Sequence, residues 1–466
     1  VIRFLSPVLA FLVGTSSLLG ADAPLRVGFA EVDVTPKVGG DKPVYMAGFG
    51  HDRKATAVHD PIMVRAVVLA HEKQKIALVA VDVVGLFFAV AEAARKELPD
   101  FNYVLVSSTH NHEGPDTLGL WGSSPFKSGI DSDYMKMLEA NILKAVKDAE
   151  AALKPVTVKI GSVDCPDLLH DSRLPIVKHG DLVTIEFTNT ETKKRHGVLV
   201  QWNCHPELLG SKNTQISADH VWSTVKKLRK SQECPIAYFT GTVGGLMSAT
   251  KTPFKGPDGK ELTDGFDKTE EFGRLIAKEA EKALKAAVPA TITPFEVRTK
   301  EVHIPVDNRV YQLGWSLGVL KRDMYVWEGT PYPKNPQPGK DVTKRSSIRT
   351  EVGYLKLGEL EVAVIPGEIY PELVLGKVQD PADPAADFPD APIEPSIYGQ
   401  LKAKHKMMIG LGNDEIGYII PKRQWDEKPP FCYGLKKAQY GEINSTGPET
   451  APIICKAFEE LAKEKK

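Results

Sequence analysis

The chain has 466 residues, 42% of them hydrophobic, which is enough to bury a large core. A prior of ~150 residues per domain permits about three domains, and we expect one large domain with an appended subdomain, because the chemistry-bearing residues come from both halves. Its 59 basic and 60 acidic residues leave a formal charge of −1, so nothing favours electrostatic capture of nucleic acid.

Residues 2–23 carry an early positive charge at Arg3, an apolar core over 8–19 and the small-residue end Ala21-Asp-Ala23. These are the three regions of a secretory signal peptide. The apolar core is shorter than the about 20 residues a membrane span needs, and no later segment offers an uninterrupted one. Residues 24–466 are therefore expected as a secreted or periplasmic chain without a transmembrane segment.

Strands are predicted at 75–82 and 103–108. The second runs on through Ser107-Ser-Thr-His110-Asn-His112-Glu113-Gly114-Pro115, so a β-branched run ends on two histidines. On a continuing strand they would share one face. Neutral imidazole is the commonest metal ligand; a hydrogen-bonded loop role is the alternative. A helix at 134–153 places Leu138, Ile142, Val146 and Ala149 on one stripe.

Strands follow at 183–188 and 196–203, the latter closing on Asn203-Cys204-His205-Pro206, where proline ends the run. Cys204 would face away from His205 on a strand and is assigned to the core. Asp219, before His220 and a helical stretch, either orients a ligand histidine or caps the helix. The basic run at 226–230 reads as a solvated face, and His51 and His59 as surface or rim histidines.

Further elements are a strand at 236–240, a helix at 266–286 and a Pro- and Thr-rich candidate boundary at 287–295. The proline-rich stretches 330–341 and 380–395 exceed simple turns. At least one is expected to border a pocket, the alternative being plain surface loops. A strand at 360–365 closes on Pro366-Gly367-Glu368, and a last helix is predicted at 449–463. The alternation gives an α/β class with a mixed or parallel sheet flanked by helices. The five cysteines lack C-x-x-C spacing, which excludes a structural zinc cluster; export would permit one or two disulfides.

Two imidazoles and a carboxylate, each at the mouth of its own strand, match the set that catalytic zinc uses when it keeps a position open for water. Ligands in open α/β sheets bind beyond the carboxyl ends of strands.

With these motifs the chain resembles, over residues 26–455, the neutral, non-lysosomal ceramidase family, zinc amidohydrolases that cleave the N-acyl bond of ceramide. Val27-Gly-Phe-Ala-Glu-Val-Asp-Val-Thr-Pro36 and Met46-Ala-Gly-Phe-Gly50 are similar to its opening strand and glycine-rich turn. The 107–115 segment is similar to its Thr-His-Thr-His-Ser-Gly-Pro. The resemblance implies a neutral-ceramidase-like catalytic domain with His110, His205, Glu368 and Tyr418 as zinc ligands. It also implies His112 as the neighbouring active-site histidine, Arg173 as an active-site arginine, and Tyr440 as a group lining the scissile bond.

Three departures qualify the match. Where the family carries Gly-Asp-Val-Ser-Pro-Asn with an active-site serine, this chain reads Gly244-Gly-Leu-Met247-Ser248-Ala249. Ser248 lies one residue along, and a strand-like backbone would turn it to the other face, so it is not assigned as nucleophile. Glu113 stands where the family has serine. It reads either as general base to the zinc-activated water or as a salt-bridged loop carboxylate. The family also continues into an immunoglobulin-like domain, whereas this sequence stops at Lys466.

The resemblance implies a secreted zinc-dependent hydrolase that cleaves the amide bond of an N-acyl lipid such as ceramide. Zinc would bring the pKa of a bound water towards ~7, and His112 or Tyr440 would stabilise the oxyanion or protonate the leaving group. One alternative keeps fold and metal but takes an ester, lactone or carbohydrate derivative. Another is a non-catalytic exported binding protein. The expected partners are a small-molecule or lipid substrate and, transiently, a membrane surface.

Overall fold

The computed structural model describes residues 23–339 and 344–464. The signal-peptide reading lies outside the described residues except for Ala23, and the 330–341 stretch is described only to 339.

Eight strands, β1 (Arg26–Asp33), β2 (Met63–His71), β3 (Gln74–Val81), β4 (Tyr103–Ser108), β5 (Lys154–Asp164), β6 (Asp181–Asn189), β7 (Arg195–Trp202) and β8 (Ile236–Thr240), form the path β8-β7-β6-β5-β1-β2-β3-β4. A ninth, β9 (Val288–Ala290), pairs with β5. The pairs β3–β4 and β7–β8 are parallel and the others antiparallel, so the sheet is mixed. Four helices, α1 (Phe88–Glu97), α2 (Ser132–Ala151), α3 (His220–Gln232) and α4 (Gly265–Ala286), accompany it. Parallel neighbours require a crossover; α1 makes the one from β3 to β4, and α3 lies in the one from β7 to β8.

A second, five-stranded sheet contains β10 (Phe295–Val306), β11 (Ser346–Leu357), β12 (Leu360–Val364) and β14 (His405–Ile409) in that order, with Tyr325–Val326 added to β11. Between β12 and β14 the chain forms β13 (Glu368–Ile369), which pairs in parallel with β15 (Tyr418–Ile419). Residues 287–295 carry the chain from the first sheet to the second.

The two sheets pack face to face through Val67, Leu78, Phe239, Leu355, Val362 and Met407. On the outer face of the first sheet, Val79 and Val200 meet Leu138 of α2, Val225 of α3 and Ile276 of α4. On the far side of the second, Val352 and Ala363 meet Ile454 and Phe458 of the helix Thr450–Lys463. Each sheet is covered on both faces. Its central strands therefore read as continuous apolar runs rather than alternating ones, as in the fully buried β4 and β8.

The strands and helices predicted from sequence are present with ends shifted by two residues or fewer. β10 and β11 escaped that reading because Arg298, Lys300 and Glu301 interrupt the apolar run. The five cysteines are free thiols, Cys204 fully buried; no disulfide joins them. Among the described residues no helix is long and apolar enough to cross a membrane.

Candidate metal centre

His110 follows β4 with φ +67°, a left-handed conformation that costs a non-glycine residue energy and persists only where its surroundings hold it. Its Nδ1 lies 2.7 Å from the Val84 carbonyl. A carbonyl only accepts, so Nδ1 carries a proton and Nε2 is the atom turned to the centre. His205, just past β7, repeats the arrangement, with Nδ1 3.0 Å from the Met247 carbonyl. The two Nε2 atoms converge on one oxygen, Oε2 of Glu368, at 3.2 and 2.9 Å. Glu368 is held in place by the β13–β15 pairing, where its backbone N–H donates to the Gly417 carbonyl.

The ring of His112 sits on the backbone of Gly48, at φ +94°, where an added Cβ would come within 2.4 Å of the imidazole. Its centroid is 4.8 Å from that of His110 and 5.6 Å from that of His205. Both its ring nitrogens are buried without a hydrogen-bond partner, as is Oε2 of Glu415. The other oxygen of Glu415 accepts the Gly417 N–H at 2.6 Å.

Burial disfavours charge on His110 and His205, yet attraction to Glu368 outweighs it and raises both pKa values. His112 is pushed well below its ordinary value by burial and by the two neighbouring rings. Burial also opposes the charge on Glu368, but His110 and His205 hold its carboxyl below the usual carboxylate range. Burial, then Glu368, pushes Glu415 up to about 8.

These groups fit a divalent metal. Donor atoms of His110, His112 and His205 lie within 4.8 Å of one another, as do those of His110, Glu368 and Glu415. Buried imidazole nitrogens without partners are costly unless something takes them up. His110 and His205 already have the backbone partners that orient metal-binding imidazoles, and an imidazole and carboxylate set suits zinc.

His110, His112, Glu368 and Glu415 line a slot of about 110 Å³. Val84, Phe87, Leu118 and Trp121 form part of the wall, with Tyr311 and Trp315 from α5 (Arg309–Ser316). Asp116 stiffens the wall by accepting the N–H groups of Leu118, Gly119, Trp121 and Gly129. Neither proline-rich stretch contributes a lining residue among the described residues, contrary to expectation. The 380–395 stretch is tied instead to the 422–427 segment, through Glu394 to the Lys422 N–H, Asp387 to the Glu427 N–H, and Asp380 to Arg423.

Tyr418 lines the slot with its ring edge-on to Tyr440, centroids 6.0 Å apart. Tyr440 stands at the rim, 50% exposed, with its hydroxyl bonded by the Asn444 amide. Burial of the hydroxyl and the charge of Glu368 push it up to about 12.

Two expected catalytic residues face elsewhere. Glu113 turns away from the histidines to a buried ion pair with Arg53 at 3.0 Å and to the Asn213 amide at 2.8 Å. Its N–H donates to the Asn111 side chain at 3.1 Å. Arg173 does not line the slot either. Its guanidinium grips Glu442 at 2.8 and 2.6 Å and the carbonyls of Tyr440 and Gln424 at 2.9 Å, so it braces the segment that carries Tyr440.

Met247 serves the centre through its carbonyl, while the Ser248 hydroxyl bonds with Thr250. Asp219 is a helix cap: it accepts the His220 N–H at 2.7 Å and, from the turn after His205, the Leu209 N–H at 3.1 Å. The sequence reading missed Glu415 and also Glu207, whose Oε2 is 3.8 Å from His112 Nδ1. Each is an acid within three residues of a proposed ligand, which is the signal that was there to use.

No protein-family model and no curated protein matches the chain. Among solved structures it is similar to the neutral ceramidase from Pseudomonas aeruginosa, with a TM-score of 0.70 and 16% identity, covering 95% of this chain and 74% of that one. It is also similar to a ceramidase complexed with C2, with a TM-score of 0.66 and 16% identity, covering 95% and 75%. At this identity the likeness establishes a shared fold.

Proposed function

We propose that the chain is an exported zinc-dependent hydrolase that cleaves the amide bond of an N-acyl lipid. One observation carries this reading: His110 and His205 converge on Glu368 beside His112, whose two buried ring nitrogens have no partner, and His110, His112 and Glu368 line an apolar slot. Likeness of fold to two ceramidases supports it; export rests on the pattern of residues 1–23 alone.

His110, His205 and Glu368 would hold the metal, with Tyr418 as the fourth ligand that the resemblance implies. When bound, zinc polarises a carbonyl and lowers the pKa of water towards ~7. The apolar wall excludes bulk water, which strengthens each polar contact inside, and it suits an acyl chain. His112, kept neutral by its surroundings, can take a proton at one ring nitrogen and pass it to the leaving amine. The Tyr440 hydroxyl keeps its proton through the neutral range and donates a hydrogen bond to the oxygen on which charge develops. Because the Ser248 hydroxyl is engaged with Thr250, the reading takes direct attack by water and no acyl-enzyme.

The replacement of serine by Met247 favours a second reading, in which the same groups cleave an ester or lactone. The apolar lining argues against a carbohydrate derivative. The test is zinc content of the purified chain together with fatty-acid release from a fluorescent N-acyl sphingosine, before and after chelation. About one zinc per chain with chelator-sensitive release is expected. Zinc without release moves the search to esters and lactones, and absence of zinc overturns the hydrolase in favour of a binding protein.

A further inference from the structure

The outer face of α5 is apolar and uncovered. Tyr311 and Trp315 turn into the slot, while Val310, Leu313 and Leu317, just past the helix, are 58, 51 and 50% exposed. Spacing of three and four residues puts them on one stripe. Ile443, 60% exposed, is joined to the start of this stripe by Asn308. That side chain accepts the Val310 N–H at 2.9 Å and donates to the carbonyls of Ile443 and Ser445 at 2.8 and 2.9 Å. Four aliphatic side chains thus stand on two segments that line the slot, one through Tyr311 and Trp315 and the other through Asn444 and the half-exposed Tyr440. Contiguous apolar surface of this kind marks an interaction site.

Beside the ridge lies an open groove that Val310 and Ile443 share with Lys251, Arg309, Lys428, Lys436 and Lys437. Among the described residues none of these five cations is in an ion pair. Of the acids in the groove, Asp307 and Glu442 are neutralised by Arg345 and Arg173, which leaves Glu427 alone against five positive charges.

We propose that this face docks on an anionic lipid bilayer, the aliphatic ridge entering the headgroup boundary while the lysines and Arg309 meet lipid phosphates. Cations alone would suit any polyanion, and an apolar ridge alone any hydrophobic partner; the two side by side match the interface of a charged membrane. A second copy of this chain would set the same cations against each other. Docking holds the slot mouth at the bilayer, where a lipid can pass into the slot without crossing water. The surface does not depend on the proposed reaction, because binding is read without turnover.

The test is sedimentation of the purified chain with vesicles of phosphatidylcholine alone or with one third phosphatidylglycerol. Binding to the anionic vesicles is expected to be at least about tenfold tighter and to weaken with salt. The double variants Leu313→Glu/Ile443→Glu and Lys436→Glu/Lys437→Glu should each lose about tenfold or more, with circular dichroism and urea unfolding matching the parent. Equal binding to both vesicles, no binding, or unchanged binding in either variant overturns the proposal. So does a dimer, seen by light scattering, that the Leu313→Glu/Ile443→Glu variant abolishes.

Discussion

The His110–His205–Glu368 cluster and the Arg173–Glu442 cluster are both buried, both charged, and both assembled from distant parts of the chain, yet one is open and the other closed. Arg173 places all four Nη hydrogens on oxygens of Glu442, Tyr440 and Gln424, and of its five N–H groups one, at Nε, is left without a partner. The histidine cluster leaves both nitrogens of His112 and one oxygen of Glu415 without partners, beside a cavity. An ion pair whose charged ends are taken up in this way is a brace. A convergent set of unsatisfied donors and acceptors is a place for a ligand.

The strongest way to break this comparison is to remove the convergence. His205→Ala or Glu368→Gln should weaken zinc by more than the about 10–100-fold that loss of outer partners costs, and reduce hydrolysis to background. Competition titration with a chromophoric chelator reads this directly; unchanged affinity in both variants would remove these residues from the ligand set.

Arg173→Met should act on the other side of the comparison. It leaves Glu442 buried without its partner and should cost about 3–5 kcal/mol in urea unfolding, while zinc stays at one per chain. Lost zinc with intact stability would mean that the arginine belongs to the site after all.

Next in size is a pH effect at Glu372, close to the brace, where Gln424 donates to it at 3.1 Å. Burial pushes its carboxyl from 4.5 up to about 7, with Asp171 adding repulsion. The folded state therefore holds this proton more tightly than the unfolded chain. The stability it contributes is complete below about pH 4.5 and is lost as pH rises through about 7. Glu372→Gln should remove that decline, on the order of 3 kcal/mol, so urea midpoints across this range should fall less steeply than in the parent. A parallel decline in both would show that Glu372 does not titrate there.

The smallest effects sharpen the roles at 247 and 248. Met247→Leu keeps the carbonyl that orients His205 and should cost less than about 1.5 kcal/mol. Ser248→Ala should cost about 1 kcal/mol for the lost hydroxyl bond and leave turnover unchanged. Turnover reduced to background in Ser248→Ala would restore this serine as a nucleophile.

Parts of this picture were legible without coordinates. Val104-Leu-Val and Val198-Leu-Val announce buried strands, and the histidines that follow them sit at strand ends, where ligands gather. Glu113 takes the salt-bridged of its two readings, and Arg173 lies off the slot wall, since a motif reports residue type and spacing but not which partner a flexible side chain finds. Glu207 and Glu415 were passed over although each stands within three residues of a proposed ligand, because an acid in a loop shows its partner only in the fold. The antiparallel pair of β10 and β11 was hidden by half-buried and exposed charges on a strand whose other half is buried.

What the sequence by itself determined is the order and type of the elements and the identity of the groups at strand ends, because β-branched runs, helical stripes and the prolines that end them act within a few residues. Only the tertiary structure decided which of those groups face one another. Arg53 reaches Glu113 across 60 positions, Met247 orients His205 across 42, and Arg173 meets Glu442 across 269. A charge buried in the interior must take whatever partner the packing of the two sheets brings to it, and that choice is made by the whole fold.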